Sequence, residues 1–473
     1  MRLTLGEIWS LLGSDPALLP AGLAACTPAG ASMDSRDAQQ GKLFFCSKGE
    51  RTDGHEYAGV AAEKGAMAIV ACRDPFPGGK APVPVLATED TVKALGCIAA
   101  AERAATRAHV VGVTGSSGKT SVKETLAAVL GVMAPTAKTH MNFNNRIGLP
   151  LSMLNAREDA AYWVMEAGIS ETGDMDELAS ILRPDMAVIV NAGLAHMQGL
   201  GDKGVAHYKS RMLAYVPENG MGVISADYPD LVREAQQYGR RLVTFSTREG
   251  AALFTAKYAG QAADGSGVFS VVAQDDKGCV EAPFAGAFGA ENVAAVTAAV
   301  CSLGYGLDDV RRGAPAARLP AGRFTRELLG PYLIIDDSYN ANPLSMQGAL
   351  AAAAQAAKAR SEELFLVLGE MGELGLDAER SHEALGRYIA ELRPGWVIWR
   401  GGHGEIVERT LRGAGFAGAF AVAIAVEDFS GLLQRFGQHP GVYLFKGSRS
   451  NMLERFVEAF QEAAREKGVL HAL

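Results

Sequence analysis

The stretch Val110-Val-Gly-Val-Thr-Gly-Ser-Ser-Gly-Lys-Thr-Ser-Val-Lys-Glu124 decides the fold that we expect for this chain. Its β-branched start predicts a buried strand, the glycines then turn the chain, and a helix is predicted to begin near Lys119. Because glycines let the backbone approach an anion closely, the N–H groups of the turn, the helix N-terminus and Lys119 can converge on one phosphate. The stretch therefore predicts a nucleotide-phosphate loop between a strand and a helix.

This loop departs from the strict pattern G-x-x-x-x-G-K-[ST], which requires glycine where the chain has Val113. The shorter form G-x-x-G-K-T is present, and Thr120 is predicted to place its hydroxyl on Mg²⁺. The alternative is an ordinary glycine-rich turn with a solvated lysine. The predicted nucleotide-binding residues of the stretch are Thr114, Gly115, Ser116, Ser117, Gly118, Lys119, Thr120 and Ser121.

The composition argues against several classes of protein. The 473 residues suffice for roughly three domains of ordinary size. With 48% hydrophobic and 21% charged residues, the chain can bury several cores. The net charge is −8 and no basic block is present, so nucleic acid is not an expected partner. A local phosphate site is compatible with this global sign.

Cysteine usage and hydropathy indicate the compartment. The six cysteines are scattered without a Cys-x-x-Cys pair, which is typical of reduced thiols in a cytosolic protein rather than of a disulfide framework or a zinc site. The N-terminus carries Glu7 and Asp15 where a signal peptide needs an apolar core. No run reaches the ~18 apolar residues of a membrane span. We expect a cytoplasmic protein without a membrane span.

Predicted strands alternate with predicted helices along most of the chain, which favours an α/β fold around a central, doubly wound parallel sheet. A small α/β unit precedes this sheet, and a second, smaller Rossmann-like unit follows it. Residues 221–288 are interpreted as strand-rich with weak helical periodicity. The Pro- and Gly-rich segments 74–84 and 313–323 are predicted domain junctions. The predicted domains are residues 1–86, 87–313 and 314–473.

Polar side chains follow the predicted strands of the central unit. Glu166 ends an apolar strand one βα unit after the phosphate loop, as a Walker-B carboxylate does, and is our candidate acidic partner for magnesium. The alternative is a carboxylate that caps the next helix. Asn191 ends another strand, and His196 follows in the loop beyond, where a metal-ligand role and a structural role are equally open. Lys209 carries no signal of its own, so a surface lysine is the default.

Two loops in the last third of the chain are also candidates. Asp336-Asp-Ser-Tyr-Asn-Ala-Asn-Pro343 gathers two carboxylates, a hydroxyl, a phenol and two amides after a buried strand, which favours ligand contact over a solvated turn. Arg323 could present a flat guanidinium to a base or a phosphate. Lys446-Gly-Ser-Arg449 is a candidate anion site, although such turns are common. Gly369-Glu-Met-Gly-Glu-Leu-Gly375 lacks the glycine spacing of a dinucleotide fingerprint, so we reject NAD.

Ordered motifs over nearly the whole chain resemble the Mur ligase family, and within it the MurF type. They are Met33-Asp-Ser-Arg36 with Gly41-Lys-Leu-Phe-Phe and Asp53-Gly-His55, then residues 114–124, Asn142-Phe-Asn-Asn-Arg-Ile-Gly-Leu-Pro150, and the stretches 336–343, 369–375 and 446–449. The paired serines of the phosphate loop and the Ser-Tyr-Asn-Ala-Asn-Pro loop resemble the MurF type. The sister MurE type shows Thr-Asn-Gly-Lys-Thr and Tyr-Ala-His-Thr-Pro, and the Asp-Asn-Pro-Arg motif of its diaminopimelate-adding form is missing here.

The resemblance implies an ATP-dependent ligase of peptidoglycan precursor synthesis. It would join D-alanyl-D-alanine to UDP-N-acetylmuramoyl-tripeptide through an acyl phosphate, with ATP and Mg²⁺ as cofactors. The enzyme would act as a monomer. Its three domains would be an N-terminal UDP-binding domain, a central ATPase and a C-terminal Rossmann-like domain.

Four residues carry the implied catalytic roles. Lys119 and the loop amides would hold the β- and γ-phosphates, Thr120 and Glu166 would hold one Mg²⁺, and His196 and a carbamylated Lys209 would serve a second. A carbamate needs an unprotonated amine, and burial beside cations would lower the pKa of about 10.4 that a free lysine has. The catalytic set is therefore Lys119, Glu166, His196 and Lys209.

The resemblance also implies binding roles. Asn292, Arg323, Asp337 and Asn340 would surround the adenine and ribose, Ser35 and Arg36 would meet the uridine diphosphate, Asn144 and Asn145 would meet the muramyl-peptide, and Lys446 and Arg449 are counted with the substrate site. Two departures bear on these roles. The family often has His-Asn-x-x-Asn where this chain has Glu291-Asn-Val-Ala-Ala295, and Lys-x-Glu where it has Lys209-Ser-Arg211.

Three alternatives stay open from the sequence. The first is an enzyme that adds the third peptide residue, like the MurE type. The second is a nucleotide-dependent switch of the GTPase kind, which lacks support because no Asn-Lys-x-Asp motif is present and the flanking domains would be unexplained. The third is a nucleotide sensor that binds ATP without substrate-dependent phosphate release.

Overall fold

The computed structural model describes residues 1–37, 39–49, 52–193, 199–200, 203–262, 265–284 and 286–471. Within these residues the strands form three sheets, of four, nine and six strands, that follow one another along the chain. The predicted three-part α/β architecture with a central parallel-rich sheet is confirmed. No helix of the described part combines the length and the apolar character that crossing a bilayer requires.

The first sheet is parallel and small. Its strands, in spatial order, are β1 (Ala31–Ser32), β2 (Leu43–Phe45), β3 (Ala68–Ala71) and β4 (Val85–Ala87), accompanied by helices α1 (Leu5–Leu11) and α2 (Ala58–Glu63). Residues 74–84 connect β3 to β4, which pair with each other. The interpretation of this segment as a domain junction is therefore wrong, because it is a loop within one sheet. The boundary predicted between residues 86 and 87 falls inside β4 and stays a prediction.

The central sheet has the order β13-β12-β11-β10-β9-β8-β5-β7-β6. Its strands are β5 (His109–Thr114), β6 (Thr136–Lys138), β7 (Tyr162–Glu166), β8 (Met186–Ile189), β9 (Met221–Ser225), β10 (Arg241–Ser246), β11 (Phe254–Gln261), β12 (Gly267–Ala273) and β13 (Asp276–Ala282). Its helices are α3 (Thr91–Ala105), α4 (Lys119–Met133), α5 (Gly148–Leu154), α6 (Asp174–Leu182), α7 (Gly204–Ser210), α8 (Pro229–Gln236), α9 (Ala287–Ser302) and α10 (Leu307–Gly313).

The strands from β6 across to β11 run parallel, and β12 and β13 extend the edge as an antiparallel meander. The middle strands β5 and β8 are buried on both faces, as parallel strands covered by helices are. The expectation of weak helical character over residues 221–288 is wrong at α8. Most residues of this helix are polar, and only the buried residues Leu231 and Ala235 show the helical spacing. Its first residue is a proline, which is common at the start of a helix.

The third sheet has the order β14-β15-β19-β16-β17-β18, with only β14 antiparallel to its neighbour. Its strands are β14 (Thr325–Leu329), β15 (Tyr332–Asp337), β16 (Glu363–Gly369), β17 (Trp396–Arg400), β18 (Ala419–Val422) and β19 (Gly441–Lys446), and its helices are α11 (Pro343–Arg360), α12 (Ala378–Leu392), α13 (Gly404–Gly413), α14 (Val426–Phe436) and α15 (Glu454–His471). The predicted Rossmann-like alternation in this part is confirmed.

The central and third sheets meet through loops at the carboxyl ends of their strands. Asn342, the N-cap of α11, donates its side-chain N–H to the backbone oxygen of Ser116 at 3.0 Å. The side-chain N–H of Asn142 donates to the Tyr339 hydroxyl. Because parallel sheets bind ligands at the carboxyl ends of their strands, this meeting point is where a ligand site is expected.

Candidate active site

The phosphate loop connects β5 to α4 as the sequence predicted. Gly118 has a φ of +76°, and a Cβ at this position would lie 2.2 Å from Asn292 Oδ1, so a side chain would be both strained and blocked. Lys119 Nζ donates to the Gly115 carbonyl oxygen at 2.7 Å, which holds the ammonium over the loop. Glycine is therefore required here by the backbone and by its neighbour, and the lysine lies where a bound phosphate would need it.

Asn191, which follows β8, accepts hydrogen bonds from two backbone N–H groups of the loop and so holds the loop's conformation. Those of Ser116 and Ser117 both donate to Asn191 Oδ1 at 2.9 Å. Asn191 is 1% exposed, and its own Nδ2 donates to Glu291 Oε2 at 2.7 Å. Sequence reasoning placed Asn191 at the correct sheet edge but gave it no role, since nothing in the local pattern indicates a partner on α9.

Glu166 lies at the carboxyl end of β7 and is fully buried. Thr120 Oγ1 donates to its Oε2 at 3.0 Å, and Asn144 Nδ2 donates to its Oε1 at 2.8 Å. The helix-capping alternative is wrong, because both carboxylate oxygens are directed to groups beside the phosphate loop. A carboxylate and a hydroxyl are the hard oxygen ligands that Mg²⁺ prefers, so these residues fit that ion.

A buried lysine stands behind this carboxylate. Lys123 donates to the backbone oxygens of Thr139 at 3.0 Å and Met141 at 2.7 Å, and it pairs with Glu124 Oε1 at 2.8 Å. Its Nζ lies 4.0 Å from Glu166 Oε2. The ammonium thereby fixes the start of the loop that carries Asn142 and Asn144, a contact that no local sequence pattern indicates.

Lys209 is 1% exposed, so the default interpretation as a surface lysine is wrong. Burial lowers the pKa of its amine well below the ordinary value, and the positive charge of Lys119 lowers it further. Burial also lowers the pKa of Lys119. The neighbouring Arg211 turns away to Asp176, with its Nε 3.0 Å from each carboxylate oxygen. His196 lies outside the described residues, and its role stays a prediction.

A cavity of about 1310 Å³ lies between the central and third sheets. It exceeds the ~300–1,000 Å³ of common small-molecule pockets, which leaves room for more than one substrate. The predicted residues that line it are Ser116, Ser117, Gly118, Lys119, Thr120, Ser121, Asn144, Asn145, Asn292, Arg323, Asp337, Asn340, Lys446 and Arg449. Thr114 and Gly115 are buried beneath the loop, and Glu166 lies behind Thr120.

The third-domain wall of the cavity is organised by an ion pair and an aromatic ring. Lys446, 1% exposed, donates to Asp337 Oδ2 at 2.5 Å and to the backbone oxygen of Asn340 at 3.0 Å. The guanidinium of Arg323 lies 4.0 Å from the centre of the Tyr339 ring. Lys446 therefore holds the 336–343 loop in place, and its predicted contact with substrate stays a prediction. The sequence predicts no separate role for Tyr339, although the many polar residues of its loop indicate a ligand site there.

Ser35 and Arg36 lie on the first sheet's side of the molecule and, among the described residues, are not part of the cavity lining. The Arg36 guanidinium pairs with Asp34 at 2.6 Å and is largely exposed, and Lys64 Nζ donates to the Ser35 backbone oxygen at 2.6 Å. Their predicted contact with the uridine diphosphate stays a prediction. Ala295 is a fully buried residue of α9 and packs in the apolar core, so this departure places an apolar residue in the core.

Glu291 belongs to the same departure from the family pattern as Ala295, and the pKa of its carboxyl group is raised. Burial raises its pKa to about 7, and the charge of Asp227 acts in the same direction. Between its unfolded pKa near 4.5 and this folded value, the folded state keeps a proton that the unfolded state loses, so stability contributed by this group falls as pH rises through that window.

We expect Glu291→Gln to gain thermal stability relative to the parent as pH rises from 5 to 7.5, by about 1–2 °C in Tm, because the amide has no charge to bury. Thermal unfolding across this pH range measures it. Glu281→Gln, at an exposed position of β13, is the control and is expected to show a constant difference. A constant difference for Glu291→Gln as well would contradict the prediction.

Family models of the Mur ligases match the chain in three successive parts. The model described as Mur ligase family, catalytic domain, matches residues 29–103, the Mur ligase middle domain matches residues 113–300, and the Mur ligase, glutamate ligase domain, matches residues 322–449. With the relatives given next, these matches show that the chain belongs to the Mur ligase family.

Within the family, the chain is similar to proteins named UDP-N-acetylmuramoyl-tripeptide–D-alanyl-D-alanine ligase. The one from Escherichia coli (strain K12) is 34% identical over 91% of this chain and 93% of its own length. The one from Bacillus subtilis (strain 168) is 31% identical over 92% and 93%. A MurF crystal structure from Acinetobacter baumannii superimposes with a TM-score of 0.82 at 29% identity, covering 98% of this chain and 100% of that one.

A MurF ligase from Thermotoga maritima, solved in complex with ADP, superimposes with a TM-score of 0.78 at 28% identity over 93% of this chain and 98% of that chain. The predicted resemblance to the MurF type of the family is confirmed by these matches.

Proposed function

We propose that this chain is an ATP-dependent ligase that joins D-alanyl-D-alanine to UDP-N-acetylmuramoyl-tripeptide and forms ADP and phosphate. One observation carries the proposal: the phosphate loop, the carboxylate–hydroxyl pair of Glu166 and Thr120, and the 336–343 loop of the third domain meet at one cavity. The E. coli relative that bears this name, at 34% identity over 91% of the chain, supports it.

The reaction begins with a carboxylate that must approach a triphosphate. The terminal carboxylate of the tripeptide attacks the γ-phosphorus of ATP, the bond to the β–γ bridging oxygen breaks, and ADP leaves with that electron pair. Lys119 and the N–H groups at the N-terminus of α4 neutralise the crowded oxygens, which would otherwise repel the attacking carboxylate. The product of this step is an acyl phosphate.

The second step forms the amide bond. The free amine of D-alanyl-D-alanine attacks the acyl carbon, a tetrahedral intermediate collapses, phosphate leaves with the C–O electron pair, and the amine nitrogen loses a proton. The contacts of Asn342 with Ser116 and of Asn142 with Tyr339 join the two domains beside the cavity. Movement of the third domain toward the phosphate loop during the reaction would exclude water, which would hydrolyse the acyl phosphate.

Thr120 and Glu166 would hold one Mg²⁺, and Asn144 orients the carboxylate through its hydrogen bond. A bound Mg²⁺ supplies positive charge to the triphosphate oxygens and lowers the repulsion between nucleotide and carboxylate. We also propose that His196 and Lys209 would hold a second Mg²⁺.

Lys209 is proposed to carry a carbamate. Its unprotonated Nζ attacks CO₂, an N–C bond forms and a proton is released, which the lowered pKa of the buried amine favours at neutral pH. We expect a carbamate carbon signal in ¹³C NMR spectra of the protein in ¹³C-bicarbonate, and its loss in Lys209→Met. Lys257→Met, at an exposed position of β11, should keep the signal. A spectrum of Lys209→Met identical to that of the parent would exclude the carbamate at this residue.

Phosphate release from ATP tests the function. The chain is expected to release phosphate with UDP-N-acetylmuramoyl-tripeptide plus D-alanyl-D-alanine, and to release much less when the dipeptide is omitted. Faster release with UDP-N-acetylmuramoyl-dipeptide and a diamino acid would instead support addition of the third residue. ATP binding without substrate-dependent release would support a nucleotide sensor, and each of these two results would overturn the proposal.

The location, the oligomeric state and the domain boundaries complete the proposal. A reducing, ATP-rich cytoplasm suits the nucleotide substrates, and all six cysteines are free thiols. We propose a monomer, which light scattering in solution tests. The proposed domains are residues 1–86 for the uridine diphosphate, with Ser35 and Arg36, 87–313 for ATP, and 314–473 as the closing domain.

A further inference from the structure

Glu291 on α9 is linked to the phosphate loop by one intermediate side chain. Its Oε2 accepts a hydrogen bond from Asn191 Nδ2 at 2.7 Å, and Asn191 Oδ1 accepts from the backbone N–H groups of Ser116 and Ser117 at 2.9 Å each. The other carboxylate oxygen, Oε1, accepts from Ser225 Oγ at 3.4 Å. The carboxylate therefore contacts Ser225 of β9 on one side and, on the other, Asn191, which binds the phosphate loop.

The Glu291 carboxylate and the backbone N–H groups of the phosphate loop together decide which way the Asn191 amide is turned. An amide presents an oxygen acceptor at one position and an N–H donor at the other, and a half-turn exchanges them. A carboxylate oxygen accepts hydrogen bonds, so Nδ2 must face Glu291. Oδ1 must then face the loop, where two backbone N–H groups need an acceptor. The opposite orientation would place N–H against N–H at the loop and oxygen against oxygen at Glu291, so both partners select the same orientation.

We propose that Glu291 is a positioning residue for the nucleotide, because it holds the Asn191 side chain from the side opposite the loop and thereby stabilises the shape of the phosphate loop that receives the triphosphate. The inference rests on the proposed function. Asn191 is 1% exposed, so Glu291 rather than bulk water is the acceptor for its Nδ2. Removing a buried hydrogen-bond acceptor leaves its donor without a partner, so the loss of Glu291 is expected to be measurable in nucleotide affinity.

The test compares variants of the full-length chain in the phosphate-release assay and in equilibrium binding of Mg-ATP. Glu291→Met keeps the length of the side chain and removes the acceptor. It is expected to raise the KM for ATP by about tenfold or more, with a smaller change in kcat and little change in the KM for the UDP-linked substrate. Glu291→Gln keeps an acceptor oxygen for Asn191 and is expected to restore most of the affinity. Ser225→Ala removes one partner of the carboxylate, which also has a hydrogen bond with Tyr228, and leaves the Glu291–Asn191 bond in place; as the matched control it is expected to keep the parental KM for ATP.

A double-mutant cycle shows whether Glu291 acts through Asn191. In an Asn191→Ala background, Glu291→Met is expected to change the KM for ATP by less than about twofold, since the intermediate side chain is gone. An unchanged KM in Glu291→Met alone, or an equal effect in both backgrounds, would overturn the inference.

Thermal unfolding establishes that each variant is folded. If Glu291→Met does not fold, Glu291→Ala is measured in its place with the same expectations, because position 291 borders the cavity and a shorter side chain is accommodated there. A failure of the proposed function is distinguishable, since the parent chain itself would then release no substrate-dependent phosphate.

Discussion

Lys119→Ala is expected to reduce substrate-dependent phosphate release by about 10³-fold or more. The ammonium lies over the phosphate loop, 2.7 Å from the Gly115 carbonyl oxygen, where it can meet the transferring phosphate. Without it, the attacking carboxylate and the triphosphate repel each other with one fewer compensating charge. Single-turnover measurements with saturating ATP separate this loss from weaker nucleotide binding.

The control for Lys119→Ala is Lys257→Ala, which removes a lysine on β11 that pairs with Glu249 at 2.8 Å and is half exposed. This variant should release phosphate at the parental rate. Phosphate release by Lys119→Ala within tenfold of the parent would remove the phosphate loop from the mechanism.

Glu166→Gln is the second change with a large expected effect. Its carboxylate is fully buried and receives hydrogen bonds from Thr120 at 3.0 Å and Asn144 at 2.8 Å. The amide keeps the shape but removes the negative charge that attracts a divalent cation. We expect kcat to fall by about 10²–10³-fold and the Mg²⁺ concentration for half-maximal activity to rise by about tenfold.

The Mg²⁺ dependence distinguishes a metal ligand from a structural carboxylate. Glu102→Gln is the matched control, because Glu102 is also a buried glutamate, held by Arg2 at 3.0 Å at a distance from the cavity. Its Mg²⁺ dependence should equal that of the parent even if its Tm is lower. An unchanged Mg²⁺ requirement in Glu166→Gln would assign that carboxylate a structural role only.

Local patterns predicted the parts of the site that follow directly from one element. The strand, glycine turn and helix around Lys119 were predictable because hydrophobic runs and glycine act over a few residues. Glu166 was predictable because the end of a buried strand is visible in the sequence, and the rule for parallel sheets places strand ends at one edge. The family pattern added residues of the third domain that now line the same cavity as the loop.

Other features depend on residues that are far apart in the sequence. Asn191 and Glu291 are separated by 100 positions, and Asn142 and Tyr339 by 197. The burial of Lys209 also depends on distant residues. Its helix α7 is short and mixes polar with apolar residues, so its own sequence does not show whether the helix is exposed or covered by other elements. The assignment of residues 74–84 as a domain junction failed because proline and glycine mark loops equally well within and between domains.

The sequence by itself determined the class of fold, the phosphate loop and the carboxylate beside it, since each is encoded within a single strand–turn–helix unit. Only the tertiary structure decided which polar groups hold one another: Lys446 with Asp337, Lys123 with the loop before Asn142, and Glu291 with Asn191. The physical reason is that a buried polar group must find a partner, and which partner lies within hydrogen-bonding distance is set by packing between distant elements.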